Sequence, residues 1–387
     1  MTDRSVDEPR SAARALLILG GIVVVGILLV LGVIILIDRQ ASSDIAAVLY
    51  ELIGNPDEAQ ALRRGGGDRF IAKLILAGIA LVLGVGVIWL FYAGMNALVE
   101  RFSPDTQRRL LPWVFVGPAL LLLAIYLVFP AIVTVVTSVT EDAGVDNYAN
   151  VLSNPETLTL FRNNIIWLVV GVAGSVGLGL LIAGLLDRVK HESVAKTFIF
   201  LPLAISLVGA SAIWRFVYAW RPEGSDQIGL LNALWTGLGQ EPVLWLQQEL
   251  LNTFLLIVIL IWVQTGFAMV VLSAAIKGVP TEITEAAGLD GASERQKFFR
   301  IIVPMIKGSL VMVSVTTAIV VLKVFDIVNV TTGGNFDTDV VANQMIRQMF
   351  QFRNFGEAAV LAVILFIAVL PLLIYNVRQM RRQGLGA

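Results

Sequence analysis

Cysteine is absent from the 387 residues, and histidine occurs once, as His191. Without thiolates there is no disulfide framework and no zinc site built from Cys and His. His191 lies in a short polar stretch and reads as a solvated loop residue. Charge is scarce too. Only 15% of residues are Asp, Glu, Lys or Arg, against about 25% in a soluble domain. The formal net charge is −1, so the chain lacks the basic footprint of a nucleic-acid binder. In place of charge the sequence is apolar: 57% of residues are hydrophobic, and the mean hydropathy is +0.81. This is the composition of an integral membrane protein.

A helix needs about 20 apolar residues to cross a bilayer. Stretches at 15–37, 70–90, 112–136, 165–186, 197–218, 250–272, 310–328 and 358–375 qualify. The first is longer than the apolar part of a signal peptide, about 7 to 15 residues, and reads as a retained span. Backbone groups in lipid must be satisfied within the segment, which selects helices. The expected fold class is therefore all-α, with eight transmembrane helices. Connections carrying Arg101, Arg108, Arg109, Arg188, Lys190, Lys196, Lys277, Arg295, Lys297, Arg300 and Lys307 share one side with Arg378, Arg381 and Arg382. Connections 138–163 and 219–249 each hold one Arg. The positive-inside rule then places both termini in the cytoplasm. Segment 38–69 dissents, with Arg39, Arg63, Arg64 and Arg69 on the outer side, but inverting the chain violates more connections. The expected organisation is a tail at 1–14, two accessory spans with their loop at 15–109, and a six-helix core at 110–377. A cytoplasmic loop at 277–308 lies within the core, and a tail at 378–387 follows it.

One block resists a lipid-facing reading: EAAGLDGASERQKFFRIIVP, residues 285–304. Thr281 suits a helix cap, with Glu282 and Glu285 favouring the dipole of the first turn. Gly291 can take the left-handed conformation that ends a helix. Ser293 and Gln296 fit a capping box that starts another. Pro304 precedes the next span. Ala286 and Ala287 leave a smooth surface, and Phe298, Phe299, Ile301 and Ile302 give an apolar side. Helices this short need something to dock on. The bilayer surface, the bundle itself and another protein are all open at this point.

Polar groups within the predicted spans are the other candidates. Gln264, Thr265 and Phe267 fall in the middle of the sixth span. Lys323 and Asp326 lie three apart in the seventh, on one expected helix face, and could pair. Ser206 and Ser211 in the fifth span could bond a ligand or their own backbone. Gly171, Gly174, Gly177 and Gly179 suit close helix packing. Trp89, Trp113, Trp220 and Trp262 suit interfacial anchoring.

The 285–304 block resembles the signature loop of ABC importer permeases. That loop reads E-A-A, three residues, G, nine residues, I-x-L-P. Here Glu285-Ala286-Ala287, Gly291, Ile301 and Pro304 keep the spacing, and only the Leu is replaced, by Val303. Asp290-Gly291-Ala292 is also typical. WVQTGFAMVVLSAAIKGVP (262–280), VLKVFDIVNVTTGGN (321–335) and FRNFGEAAVLAVILFIAVLPLLIYNVRQ (352–379) resemble the carbohydrate-uptake branch, of maltose and α-glucoside type. The resemblance implies a coupling loop seated on a cytoplasmic ABC ATPase dimer, through Glu285, Ala286, Ala287, Asp290, Gly291 and Pro304. It also implies a second homologous permease, an extracytoplasmic sugar-binding protein and a location in a prokaryotic plasma membrane. Phe267 and Gln264 fall on sugar-contacting positions of the family, as do Thr316 and Lys323. Lys323 stands where the family has an amide, and the 138–163 loop is far shorter than the outer domain of the maltose-type permease. Thr265 and Ser206 complete the substrate candidates.

The chain has no G-x-x-x-x-G-K-[ST] phosphate loop. The expectation is thus no cofactor here, with ATP bound by the partner, and a transport subunit that is not an enzyme. The competing expectation is an ion-coupled secondary carrier using Lys323 and Asp326. It leaves residues 285–304 without a role.

Overall fold

The computed structural model describes residues 99–186 and 191–382, with 89–97 and isolated positions before them. The predicted span at 15–37 and most of that at 70–90 lie outside the described residues. The chain divides into two compact units, Met1–Pro130 and Ala131–Ala387. Every regular element among the described residues is helical.

In the first unit, the Tyr92 hydroxyl donates to the Phe115 carbonyl at 3.0 Å, and the two rings stack at 5.7 Å. Pro104 occupies the first turn of helix α1 (Pro104–Thr140), where its missing N–H has no intrahelical partner to lose. Further along, α1 widens into a π turn at Ala124–Val128, shortly before Pro130. The proline ring removes one donor and crowds the carbonyl four residues back. A wider turn relieves both.

The second unit continues through α2 (Asp146–Ser153), α3 (Pro155–Leu186), α4 (Glu192–Ala204), α5 (Leu207–Val217), α6 (Leu230–Gly237) and α7 (Leu251–Lys277). It ends with α8 (Thr281–Leu289), α9 (Glu294–Met305), α10 (Lys307–Leu322), α11 (Asp326–Thr331), α12 (Val341–Arg347) and α13 (Phe355–Arg382). Helices α1, α3, α7 and α13 are long and apolar enough to cross a membrane, and the bent pairs α4–α5 and α9–α10 raise the number to six.

Two predicted spans are corrected. The fifth is not one rod at 197–218: α4 and α5 meet at 100°. Ser206 adopts extended backbone, ψ 149°, and its hydroxyl accepts the Gly209 N–H at 3.1 Å. An N-cap starts a new helix, so a residue read as mid-span is a joint. The seventh span does not reach 328. Helix α10 stops at Leu322, Lys323 forms its C-cap, and α11 begins only at Asp326. Its last turn tightens, with Val324 N–H bonded to the Val321 carbonyl at 3.0 Å. Connection 219–249 contains α6. There the buried Asn232 accepts from Val243 N–H and Trp245 Nε1 and donates to the carbonyls of Ala219 and Val243.

The core lies around α7, which is 56% buried along its most apolar window against 28% for α3. Toward its N-terminal end, Leu256 and Leu260 pack with Trp167, Val321 and Ile327. Toward its C-terminal end, Met269 and Leu272 pack with Ala183, Ile306 and Val313. The glycines of α3 set the approach. A methyl at Gly179 would lie 2.5 Å from the Ala268 Cβ, and one at Gly171 would lie 3.0 Å from Leu260. Gly174 abuts Ile261, whereas Gly177 faces open space and does not share the role expected of it.

Candidate functional site

The block after α7 folds as helix, corner, helix. Thr281 is the first helical residue; Pro280 holds the cap position instead, with φ −57°. Proline fixes that dihedral in advance, so the cap does not need the threonine hydroxyl. At the other end Gly291 is left-handed, φ +82°. Its N–H reaches the Gly288 carbonyl at 3.0 Å, and the Ala292 N–H reaches Ala287 at 2.9 Å. These two bonds make a Schellman motif. The Ser293 and Gln296 capping box forms in both directions, at 2.8 and 3.3 Å.

Each part of the block is anchored. Lys297 lies against Gly288 and pairs with Glu294 at 2.9 Å, joining α9 to α8. The π turn Phe298–Ile302 precedes Pro304, as another precedes Pro130. The Phe298 ring enters a notch at Gly184 on α3, where a methyl would come within 2.5 Å. Glu285, Ala286, Asp290 and Gly291 are exposed, Leu289 is 91% exposed, and Ala287 is half-buried. Glu285 also borders a groove of ≈ 390 Å³ with Lys277, Glu294 and Lys297.

A charged cluster links this region to α4. Glu192 accepts from Lys196 and, at 2.8 Å, from Lys277; Lys196 also reaches the Ser273 hydroxyl. It ties the first turn of α4 to the last turns of α7. Sequence reasoning missed the link to α7 because Ser273 and Lys277 stand 77 and 85 residues from their partners Lys196 and Glu192.

The span candidates separate by what their polar atoms already do. The hydroxyls of Thr265, Thr316 and Ser211 donate to their own helix at Ile261, Met312 and Leu207, and Ser206 caps α5. Gln264 is half-buried and makes no side-chain hydrogen bond to another described residue. Phe267 packs half-buried on the cluster around Met269. Lys323 is exposed at the end of α10. Among the described residues no ion pair joins Lys323 to Asp326. The helix break separates them, so the pair expected on one face does not form.

A polar frame around residues 331–347 was also not anticipated. Asp339, 8% exposed, accepts from Val340 N–H at 2.9 Å, Asn343 Nδ2 at 2.7 Å and Arg347 Nη1 at 3.2 Å. Asn163 of α3 donates to the carbonyls of Asp337 and Asp339. Asn252 at the start of α7 donates to that of Phe336 at 2.7 Å. The Gly333-Gly334 pair in the sequence was the available signal. Both are left-handed, φ +65° and +86°, and a methyl at Gly334 would lie 2.7 Å from the Asp339 carboxyl carbon.

With this geometry in hand, comparisons with known proteins converge. The family described as "Binding-protein-dependent transport system inner membrane component" matches residues 175–383. The osmoprotective compounds uptake permease protein GgtC of Synechocystis sp. is 51% identical over 275 residues, covering 70% of this chain and 99% of that protein. The alpha-glucoside transport system permease protein AglF of Rhizobium meliloti is 43% identical over 333 residues, covering 81% and 99%. A chain in the crystal structure of a bacterial alginate ABC transporter, in complex with alginate pentasaccharide-bound periplasmic protein, shares the fold. Its TM-score is 0.64 at 20% identity, covering 72% of this chain and 96% of that one.

Proposed function

The chain belongs to the binding-protein-dependent transport system inner membrane components, and from that premise we propose that it is the permease subunit of an ATP-driven sugar importer, with α-glucosides as the first candidates. The observation that carries this reading is the exposed α8–α9 block. Its corner, caps and anchors leave little freedom, yet Glu285 and Ala286 on its surface are unshielded. A rigid face of small and acidic residues suits a basic cleft, and the reading seats it in a cytoplasmic ATPase subunit. ATP is then held by that partner dimer.

The anchors supply the route for movement. Closure of the ATPase pair shifts α8 and α9 together. Phe298 in the Gly184 notch carries the shift to α3, and the Lys277–Glu192 contact carries it to α4. The reading includes a second homologous permease and an extracytoplasmic binding protein that delivers the sugar. It retains eight spans, including 15–37 and 70–90, with both termini cytoplasmic. Sugar contact falls to Phe267 as the aromatic face, and to Gln264, Thr316 and Lys323 as polar groups. Thr316, Thr265 and Ser206 are weaker candidates than Gln264 and Lys323, because their hydroxyls already serve the backbone. The 43% identity to an alpha-glucoside permease supports the choice of sugar.

The test is co-purification of wild type and Glu285→Arg in mild detergent. Wild type should bring down an ATPase subunit. The charge reversal should lower coupled hydrolysis by at least about tenfold, the scale of a broken buried charge pair at an interface. Equal recovery and equal hydrolysis would refute the docking role.

A further inference from the structure

A second polar cavity, of ≈ 400 Å³, lies between α3, the 334–339 turn, α12 and α13. It is far from the coupling block. Asn252 ties the start of α7 to Phe336 in the cavity wall, whereas the block follows the end of α7. A helix of that length spans about 40 Å. The cavity is also about 18 Å along α7 from Gln264.

The side chains around it fall into two groups. One group forms a fixed frame: Asn343 and Arg347 both donate to the Asp339 carboxylate, and Arg347 lies 5.7 Å above the Phe352 ring. Phe336 and Asp337 are held left-handed, each with φ 57°, by bonds from Asn252 and Asn163. Strain of this kind persists only where the surroundings enforce it, and it gathers at ligand sites. The other group is uncommitted. The side chains of Thr157, Gln344, Gln348 and Glu357 line the cavity and make no hydrogen bond to another described residue. Thr157 is only 5% exposed. Beneath them Leu160 and Leu361 form a buried apolar floor.

A preformed pocket of this size, with an apolar base and a few free polar groups, is built for a small ligand. The free groups include two amides, a hydroxyl and a carboxylate, which together accept and donate. The floor and the Phe352 ring suit the C–H face of a pyranose. Glu156, Asp337 and Glu357 at the cavity repel an acidic sugar. We propose that this cavity is a further saccharide subsite, taking one neutral glucosyl unit at the end of the spans opposite the coupling block. The proposal rests on the sugar-importer reading.

The test uses the complete transporter in lipid nanodiscs, with maltose as probe. Saturation-transfer NMR without binding protein reports the subsite, and uptake with loaded binding protein reports transport. Gln344→Trp fills the cavity. It should weaken the NMR signal, abolish the part that survives in a Phe267→Ala background, and raise the KM for uptake about tenfold with kcat unchanged, the scale of one or two lost hydrogen bonds. Phe267→Ala should lower kcat instead. If Gln344→Trp does not assemble, Thr157→Val and Glu357→Gln preserve volume and carry the same comparison. Wild-type KM and signal in the variants would overturn the subsite, as would binding of choline or glucuronate in preference to maltose. If maltose-loaded binding protein fails to stimulate hydrolysis by the wild type, the sugar reading falls first and the subsite falls with it.

Discussion

At Gly179 and Gly177, two residues on one helix turn differ in what surrounds a single hydrogen. A methyl at Gly179 meets the Met269 backbone nitrogen at 2.8 Å, while one at Gly177 meets nothing within 4 Å. Overpacking against backbone costs about 1–3 kcal/mol. Gly179→Ala should therefore lower the melting temperature in detergent, and Gly177→Ala should leave it unchanged. Asp339 gives a second prediction at this scale. Burial pushes its carboxyl above the ordinary value of 3.8, against the opposing effects of Asn343, Val340 and Arg347. The folded chain then binds this proton more tightly than the unfolded one. That stabilisation is complete below pH 3.8 and fades as pH rises through the raised native value. Wild type should gain stability relative to Asp339→Asn as pH falls from about 7 toward about 4, measured as the difference in melting temperature.

The elements with the clearest local signals are α8 and α9. Both their caps and the corner between them follow from residues within a few positions of one another. Ser293→Ala removes one side of the capping box, worth about 1 kcal/mol. Faster amide exchange at 294–297 is expected, together with weaker stimulation of hydrolysis by partners. Protection equal to wild type would show that Phe298 and Lys297 hold α9 without the cap. The bends at 204–206 and 323–325 were less legible. Hydropathy runs unbroken through both, since an apolar segment keeps its composition whether its backbone is straight or turned. Ser206 was visible as a polar residue, but its role as a cap needs the neighbouring dihedral.

For the whole molecule, one relative gives a prediction about the N-terminal region. GgtC is covered almost end to end by a match to 70% of this chain. A chain starting at Pro104 should still assemble with its partners and respond to sugar in ATPase assays. Failure to assemble would give the segment before Pro104 a structural role.

The sequence by itself determined that the protein is helical and membrane-embedded, because hydropathy over about 20 residues is a local property. It also determined the helix–corner–helix form of the 285–304 block, whose Gly291 corner and Ser293–Gln296 capping box are set by near neighbours. Tertiary structure alone decided which glycines of α3 meet α7, that Lys323 and Asp326 stand apart, and that Asp339, Asn343 and Arg347 form a frame braced by Asn163 and Asn252. Asn163 and its partners at 337 and 339 are separated by more than 170 residues. No local pattern encodes such a pairing. It arises only when packing brings α3, α7 and α12 together and each buried polar group must find a partner there.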